Sequence, residues 1–204
     1  MTTTSDPIRI PRQPAGHLGH LLLTPGDPGA PARVARLRAL GLSGDPDPTL
    51  DAFARRIARA TTTPYAGVNF VGERGQRFAG LHRAPGAAPC AYPARELGRD
   101  RGWCPHVVVR GRALVLEDVR EFARYGCNPV VGDHGIRSYL GAPVTDRATG
   151  MVLGTVCAVD VVPRRWGTEG LALIKDCAAE LVELLARRED DGERGRATEG
   201  GGTP

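Results

Sequence analysis

Two segments of the chain read as strand, tight turn and returning strand, and they restrict the fold more than any other feature. In the first, Tyr65–Val71 is apolar and β-prone, Gly72-Glu73-Arg74-Gly75 supplies the turn, and Gln76–Leu81 returns. In the second, Tyr139–Val144 and Met151–Val161 flank Asp146-Arg147-Ala148-Thr149-Gly150. A further short strand, Ala113–Glu117, lies between the hairpins. Helices stand outside them. Val34–Leu40 is a short one ending at Gly41, and after the Asp45-Pro46-Asp47-Pro48 breaker Leu50, Phe53, Ala54, Ile57 and Ala58 recur at helical spacing. This order predicts an α+β domain: an antiparallel sheet flanked by helices.

The closing helix, Thr168–Arg188, is apolar on two sides. Leu171, Ile174, Ala178, Leu181 and Leu185 form one stripe, and Leu173, Cys177 and Leu184 form another. A helix of that kind buries both stripes, one on the sheet and one on a partner helix. That predicts a homodimer through terminal helices. Two irregular stretches, 83–110 and 118–137, lie between the hairpins. Cys104–Arg110 is short enough and suitably started by Pro105 to be a helix within the first. Together they are placed to roof a pocket on one sheet face.

Six prolines in residues 1–32 and the Gly- and charge-rich residues 189–204 predict flexible ends around a single domain over 33–188. No apolar run approaches the ~20 residues of a transmembrane helix, and no charged run leads into Leu21-Leu22-Leu23 as a signal peptide would require. A net charge of +4 rests on 27 basic residues, all but Lys175 arginine, scattered among 23 acids. It forms no tract of the kind nucleic acid selects. Five cysteines without a leader argue against an extracellular disulfide framework. The expectation is a cytoplasmic protein with no membrane and no nucleic-acid partner.

Several blocks then occur in a familiar order. Asp51-Ala-Phe-Ala-Arg-Arg-Ile-Ala precedes Tyr65-Ala-Gly-Val-Asn-Phe-Val, and Trp103-Cys104-Pro105-His106 follows. Later come Leu116-Glu117-Asp118-Val119, Cys127-Asn128-Pro129-Val130-Val131, Gly135-Ile136-Arg137-Ser138-Tyr139-Leu140-Gly141-Ala142-Pro143-Val144, and Gly150 through Asp160. Over residues 33–188 the chain resembles the GAF domain family, in particular the sensory GAF domains found beside bacterial histidine kinases and diguanylate cyclases. The resemblance implies a pocket between sheet and roof, helical ends that dimerise, and an output carried by a signalling protein in trans. It names no ligand, because members of the family bind different small molecules.

Candidate ligand-binding residues are Asn69, Cys104, His106, Asp118, Asn128, Tyr139 and Thr155. Asn69, Tyr139 and Thr155 are polar groups on apolar strands, which need partners when buried. Asp118 is placed either to cap the turn after it or to enter the pocket. A thiol and an imidazole two residues apart, Cys104 and His106, can attach a tetrapyrrole, ligate iron or zinc, or make a reactive thiol. The Asp-Ile-Pro signature of bilin-binding relatives is not found in 118–137. Zinc would need Cys90, Cys104, His106 and Cys127 to converge without a recognised spacing. No cofactor or metal is therefore assigned. Cys157 and Cys177 read as apolar packing.

The resemblance also implies an enzymatic alternative. Free methionine-(R)-sulfoxide reductases are GAF proteins with cysteines in these two loops, where Cys104, Cys127 and Cys90 fall here. That family holds the substrate ammonium with carboxylates on its last two strands. The corresponding positions are Tyr139, Cys157 and Val159, which cannot supply that charge, so the expected function is a non-catalytic regulatory module.

Overall fold

A computed structural model describes residues 24–42, 45–87 and 94–199. Six helices and six strands are described: α1 (Ala30–Ala39), α2 (Pro48–Thr61), β1 (Tyr65–Val71), β2 (Gly75–Arg83), β3 (Glu96–Gly98), α3 (Cys104–Arg110), β4 (Leu114–Leu116), α4 (Ala123–Gly126), α5 (Pro129–His134), β5 (Ser138–Thr145), β6 (Val152–Asp160) and α6 (Gly167–Glu199). The strands form one antiparallel sheet in the order β3-β2-β1-β6-β5-β4. Both hairpins are present, and β1 and β6 meet at the centre. The expected α+β architecture is the observed one.

Alternation along the strands gives the sheet two different faces. One carries Ala66, Val68 and Phe70 of β1, Leu140 and Ala142 of β5, and Val156 and Ala158 of β6. Against it pack Leu50, Phe53 and Ile57 of α2 and Ile174, Leu181 and Leu185 of α6. Asp47 caps α2, accepting from the Thr49 and Leu50 amides at 2.7 and 3.2 Å, with Pro48 in the first turn. Gly80 allows α2 to approach β2 closely: a Cβ there would run into the Leu50 carbonyl. Burying a leucine- or isoleucine-sized side chain contributes about 2 kcal/mol, so the apolar face of α2 is a main tie between helix and sheet.

The opposite face is covered by the roof. Trp103, Cys104, Val107 and Val108 of α3 and its entry, Val119, Val130, Val131 and Ile136 pack against Tyr65, Phe78, Tyr139, Cys157 and Val159. The irregular stretches therefore do lie over one sheet face. They are more regular than their composition suggests: residues 96–98 pair with β2 as an edge strand, and α4 and α5 interrupt 118–137.

Helix α6 differs from its expected length. It continues beyond Arg188 to Glu199, through residues expected to be a tail. Glutamate and arginine are good helix formers, the Asp191–Arg194 pair at spacing three supports this stretch, and Gly192 and Gly195 weaken the turn without stopping it. Ile174, Ala178, Leu181 and Leu185 of its first stripe are buried as expected, while Leu171 is only half-buried. Cys177 and Leu184 of the second are half-buried beside that core. At the other end, α1 starts at Ala30 rather than Val34, with Pro31 in its first turn. Residues 1–23 of the expected arm lie outside the described residues.

Candidate functional site: a buried thiol cluster under the roof

The roof-facing row of the sheet is unusual in chemistry. Asn69 on β1 is paired with Thr155 on β6, and Cys157 on β6 is paired on both sides with glycine, Gly67 of β1 and Gly141 of β5. Phe78 leans over Gly67 and the Tyr139 ring over Gly141, in the space a Cβ at either glycine would fill. Cys104, the first residue of α3, comes down onto this row from above. Its Sγ lies 3.5 Å from the Tyr139 hydroxyl, which itself stands over the Cys157 pairing partner. Cys104 and Cys157 are 1% and 3% exposed.

The Cys157 thiol hydrogen-bonds to Cys104 and holds the Cys104 thiol below its ordinary pKa. Burial opposes that effect, and the Thr155, Tyr139 and Asn69 side chains add to it. The pair shares its ionisation: the hydrogen bond with Cys104, then burial and the charge on Cys104, push the Cys157 thiol up. Asn69 Oδ1 and Thr155 Oγ1 are buried without a well-formed hydrogen bond. From Asn69 the polar chain continues outward. Its Nδ2 donates to Gln76 Oε1 at 2.7 Å, and Gln76 Nε2 donates to the carbonyls of Gly98 at 2.9 Å and of Arg101. A central strand is thus wired to the roof loop.

Of the expected ligand-binding residues, the structure brings together Asn69, Cys104, Tyr139 and Thr155. It separates the other three. His106 is two residues from Cys104 on a helix, a step of about 200°, so imidazole and thiol leave α3 in different directions. The His106 ring packs edge-on to Tyr125, centroids 5.4 Å apart. Burial, aided by Arg124 and Arg110, depresses its pKa to about 4. Asn128 caps α5 at Val130 and clips the 100–102 loop. Asp118 caps the 3-10 turn Val119–Glu121 through the Arg120 amide and pairs with Arg137.

The cysteines also sort differently. Cys127 is exposed, donating to the Ala123 carbonyl at 3.3 Å, whereas Cys104 is buried. Cys90 lies outside the described residues. Cys157, read from its strand pattern as inert packing, is the residue that meets Cys104. Gln76 was missed, although alternation from Phe78 already turns it toward the roof. Among the described residues no group of three or more His, Cys, Asp or Glu side chains is placed to hold a metal ion.

The GAF domain family model matches residues 45–185. The chain belongs to the GAF domain family. Solved structures share its fold at low identity. The blue-light absorbing form of the Thermosynechococcus elongatus PixJ GAF domain is 12% identical, with a TM-score of 0.60 over 84% of this chain and 98% of that one. The GAF domain of an Acinetobacter phosphoenolpyruvate-protein phosphotransferase is 17% identical, with a TM-score of 0.52 over 86% and 98%. The free methionine-R-sulfoxide reductase of Neisseria meningitidis, solved with its substrate, is 15% identical, with a TM-score of 0.52 over 84% and 96%. No curated protein matches the chain. Among the described residues of this GAF domain no helix is long and apolar enough to cross a membrane.

Proposed function

We propose that this GAF domain is a regulatory, non-catalytic module that reports the state of its roof to a signalling partner through its terminal helices, as a cytoplasmic homodimer. Helix α6 carries the reading. Its inner stripe is bound into the sheet core, its second stripe is half-covered, and its last turns run past the residues that anchor it. Near that exit Arg36 holds both Asp146 and Glu189, and Arg188 holds Asp47. A small ligand entering beside Asn69, Tyr139 and Thr155 would shift the population of roof arrangements, and so the surface α6 offers. Tyr139, Cys157 and Val159 give the site no carboxylate for a substrate ammonium, which argues against the enzyme.

Native mass spectrometry of the full chain as purified tests both halves of the reading. The expected result is a dimer carrying extra mass. Leu173→Glu with Leu184→Glu is expected to give a monomer of unchanged circular dichroism. A natural chain that is monomeric at micromolar concentration overturns the dimer.

The lowered Cys104 thiol supports one rival, a thiol redox enzyme acting on free methionine sulfoxide. It requires thioredoxin-coupled NADPH consumption with that substrate, lost in Cys104→Ser or Cys127→Ser. No turnover removes it.

A further inference from the structure

Cys104 and Cys157 are 53 positions apart in sequence yet pack in one buried cluster across the roof–sheet boundary. Their placement does not depend on one contact alone. Gly141 is the strand partner of Cys157, the Tyr139 ring lies over Gly141, and the Tyr139 hydroxyl is 3.5 Å from the Cys104 sulfur. Gly67, the other strand partner of Cys157, lets the Phe78 ring close that flank. Both thiols are free and buried, and buried acceptors at Asn69 and Thr155 adjoin them. Packing alone calls for none of this. A methyl or isopropyl group would fill the same space without placing polar atoms beside it.

We propose that Cys104 and Cys157 are an oxidisable dithiol, closing a reversible disulfide between α3 and β6 when the protein meets a peroxide. The oxidant is hydrogen peroxide or a small organic hydroperoxide, compact enough to enter when the roof opens locally. The Cys104 thiolate attacks one peroxide oxygen. The O–O bond breaks, and the departing hydroxide (the alkoxide, for an organic hydroperoxide) takes up the proton lost from Cys104, leaving a sulfenic acid. Cys157 sulfur then attacks Cys104 sulfur. The S–O bond breaks as the S–S bond forms, and the hydroxyl leaves as water with the Cys157 proton. Two thiols and one hydrogen peroxide give one disulfide and two waters. The bond ties the first turn of α3 to the central strand, fixing the roof in its closed position.

The test treats the full native chain with hydrogen peroxide, alkylates remaining thiols after unfolding, and maps peptides without reduction. Expected is a peptide pair joined through Cys104 and Cys157, lighter by two hydrogens than the free thiols and released by dithiothreitol. Cys127→Ser keeps the pair, while Cys157→Ala leaves Cys104 as sulfenic acid or a higher oxide. The natural chain carries the main readout, so a variant that fails to fold does not obscure it. Recovery of both residues as alkylated thiols while exposed Cys127 is oxidised overturns the proposal, as does Cys104 joined to Cys90 or Cys127. The map decides the pairing whether or not the chain dimerises, so its outcome is separate from that of the regulatory reading.

Discussion

Asn128 and Gly102 exchange two hydrogen bonds: the Gly102 amide donates to Asn128 Oδ1 at 2.9 Å, and Asn128 Nδ2 donates to the Gly102 carbonyl at 3.0 Å. The side-chain amide thus behaves as a strand partner for the loop that delivers Trp103 and Cys104 to the sheet. The same oxygen caps α5 at Val130, and the same nitrogen reaches Asp100. One residue joins both roof stretches.

Asn128→Asp separates these functions. It retains the acceptor for the two amides but sets a carboxylate against the Asp100 and Gly102 carbonyls. At about 1 kcal/mol for each lost hydrogen bond, plus the repulsion, it is expected to cost about 2–3 kcal/mol in urea unfolding at pH 7. Asn128→Ala should cost a similar amount, with loss of the cap included. An aspartate variant as stable as the natural chain would show that the donor side of this clip is unimportant.

His106 makes stability depend on pH in a defined window. Its folded pKa is about 4, below the ordinary histidine value of 6.5, so between these values the unfolded chain binds more protons. Stability is complete above about pH 6.5 and falls as pH drops toward 4, by about 3 kcal/mol at most. His82, also lowered by burial and by Arg55 and Arg59, adds in the same direction. Urea melts from pH 4.5 to 7.5 are therefore expected to show a shallower slope in His106→Gln, with the residual slope from His82. Equal slopes in variant and natural chain would contradict the buried neutral imidazole. Asp27 and Asp47, held below the usual carboxylate range, act only at lower pH.

Gly80→Ala and Gly132→Ala should differ sharply. The methyl at Gly80 meets the Leu50 backbone, which cannot rotate away, whereas nothing lies within 4 Å of a methyl at Gly132 in α5. The first is expected to cost about 3 kcal/mol or more by displacing α2; the second should be neutral or stabilising by up to about 1 kcal/mol. Thermal unfolding of the two variants side by side is the check.

At the exit of α6, Asp47 both caps α2 and receives Arg188. Asp47→Ala should lose about 1–2 kcal/mol, mostly the cap, whereas Arg188→Ala loses less than about 1 kcal/mol from a partly exposed pair. Chemical denaturation should rank them in that order. The reverse ranking would make the ion pair, not the cap, the anchor at this end.

The hairpins, the central strands and the inner stripe of α6 were legible because each is a local pattern of period 2 or 3.6. Asn69, Tyr139 and Thr155 were legible for the same reason: a polar side chain at an inward position of an apolar strand needs an explanation. The Cys104–Cys157 pair was not, since its register depends on how α3 seats on the sheet, and no local pattern encodes a contact across 53 positions. The Cys104–Pro105–His106 spacing suggested a shared site that helical geometry divides. Strand β3 escaped because Glu96–Gly98 is too short and polar to alternate visibly; its partner Gln76 is what defines it. The extension of α6 past Arg188 was hidden by glycines that usually mark an end.

Gly67 and Gly141 have a consequence beyond allowing two rings to lean inward. Phe78 and Tyr139 stand as walls on either side of Cys157 because neither glycine pushes them back. A methyl at either position would tilt a wall and admit water to the sulfur without altering any group that touches a proton. The hydration of the thiols, and with it their readiness to ionise, is encoded at two positions that have no side chain.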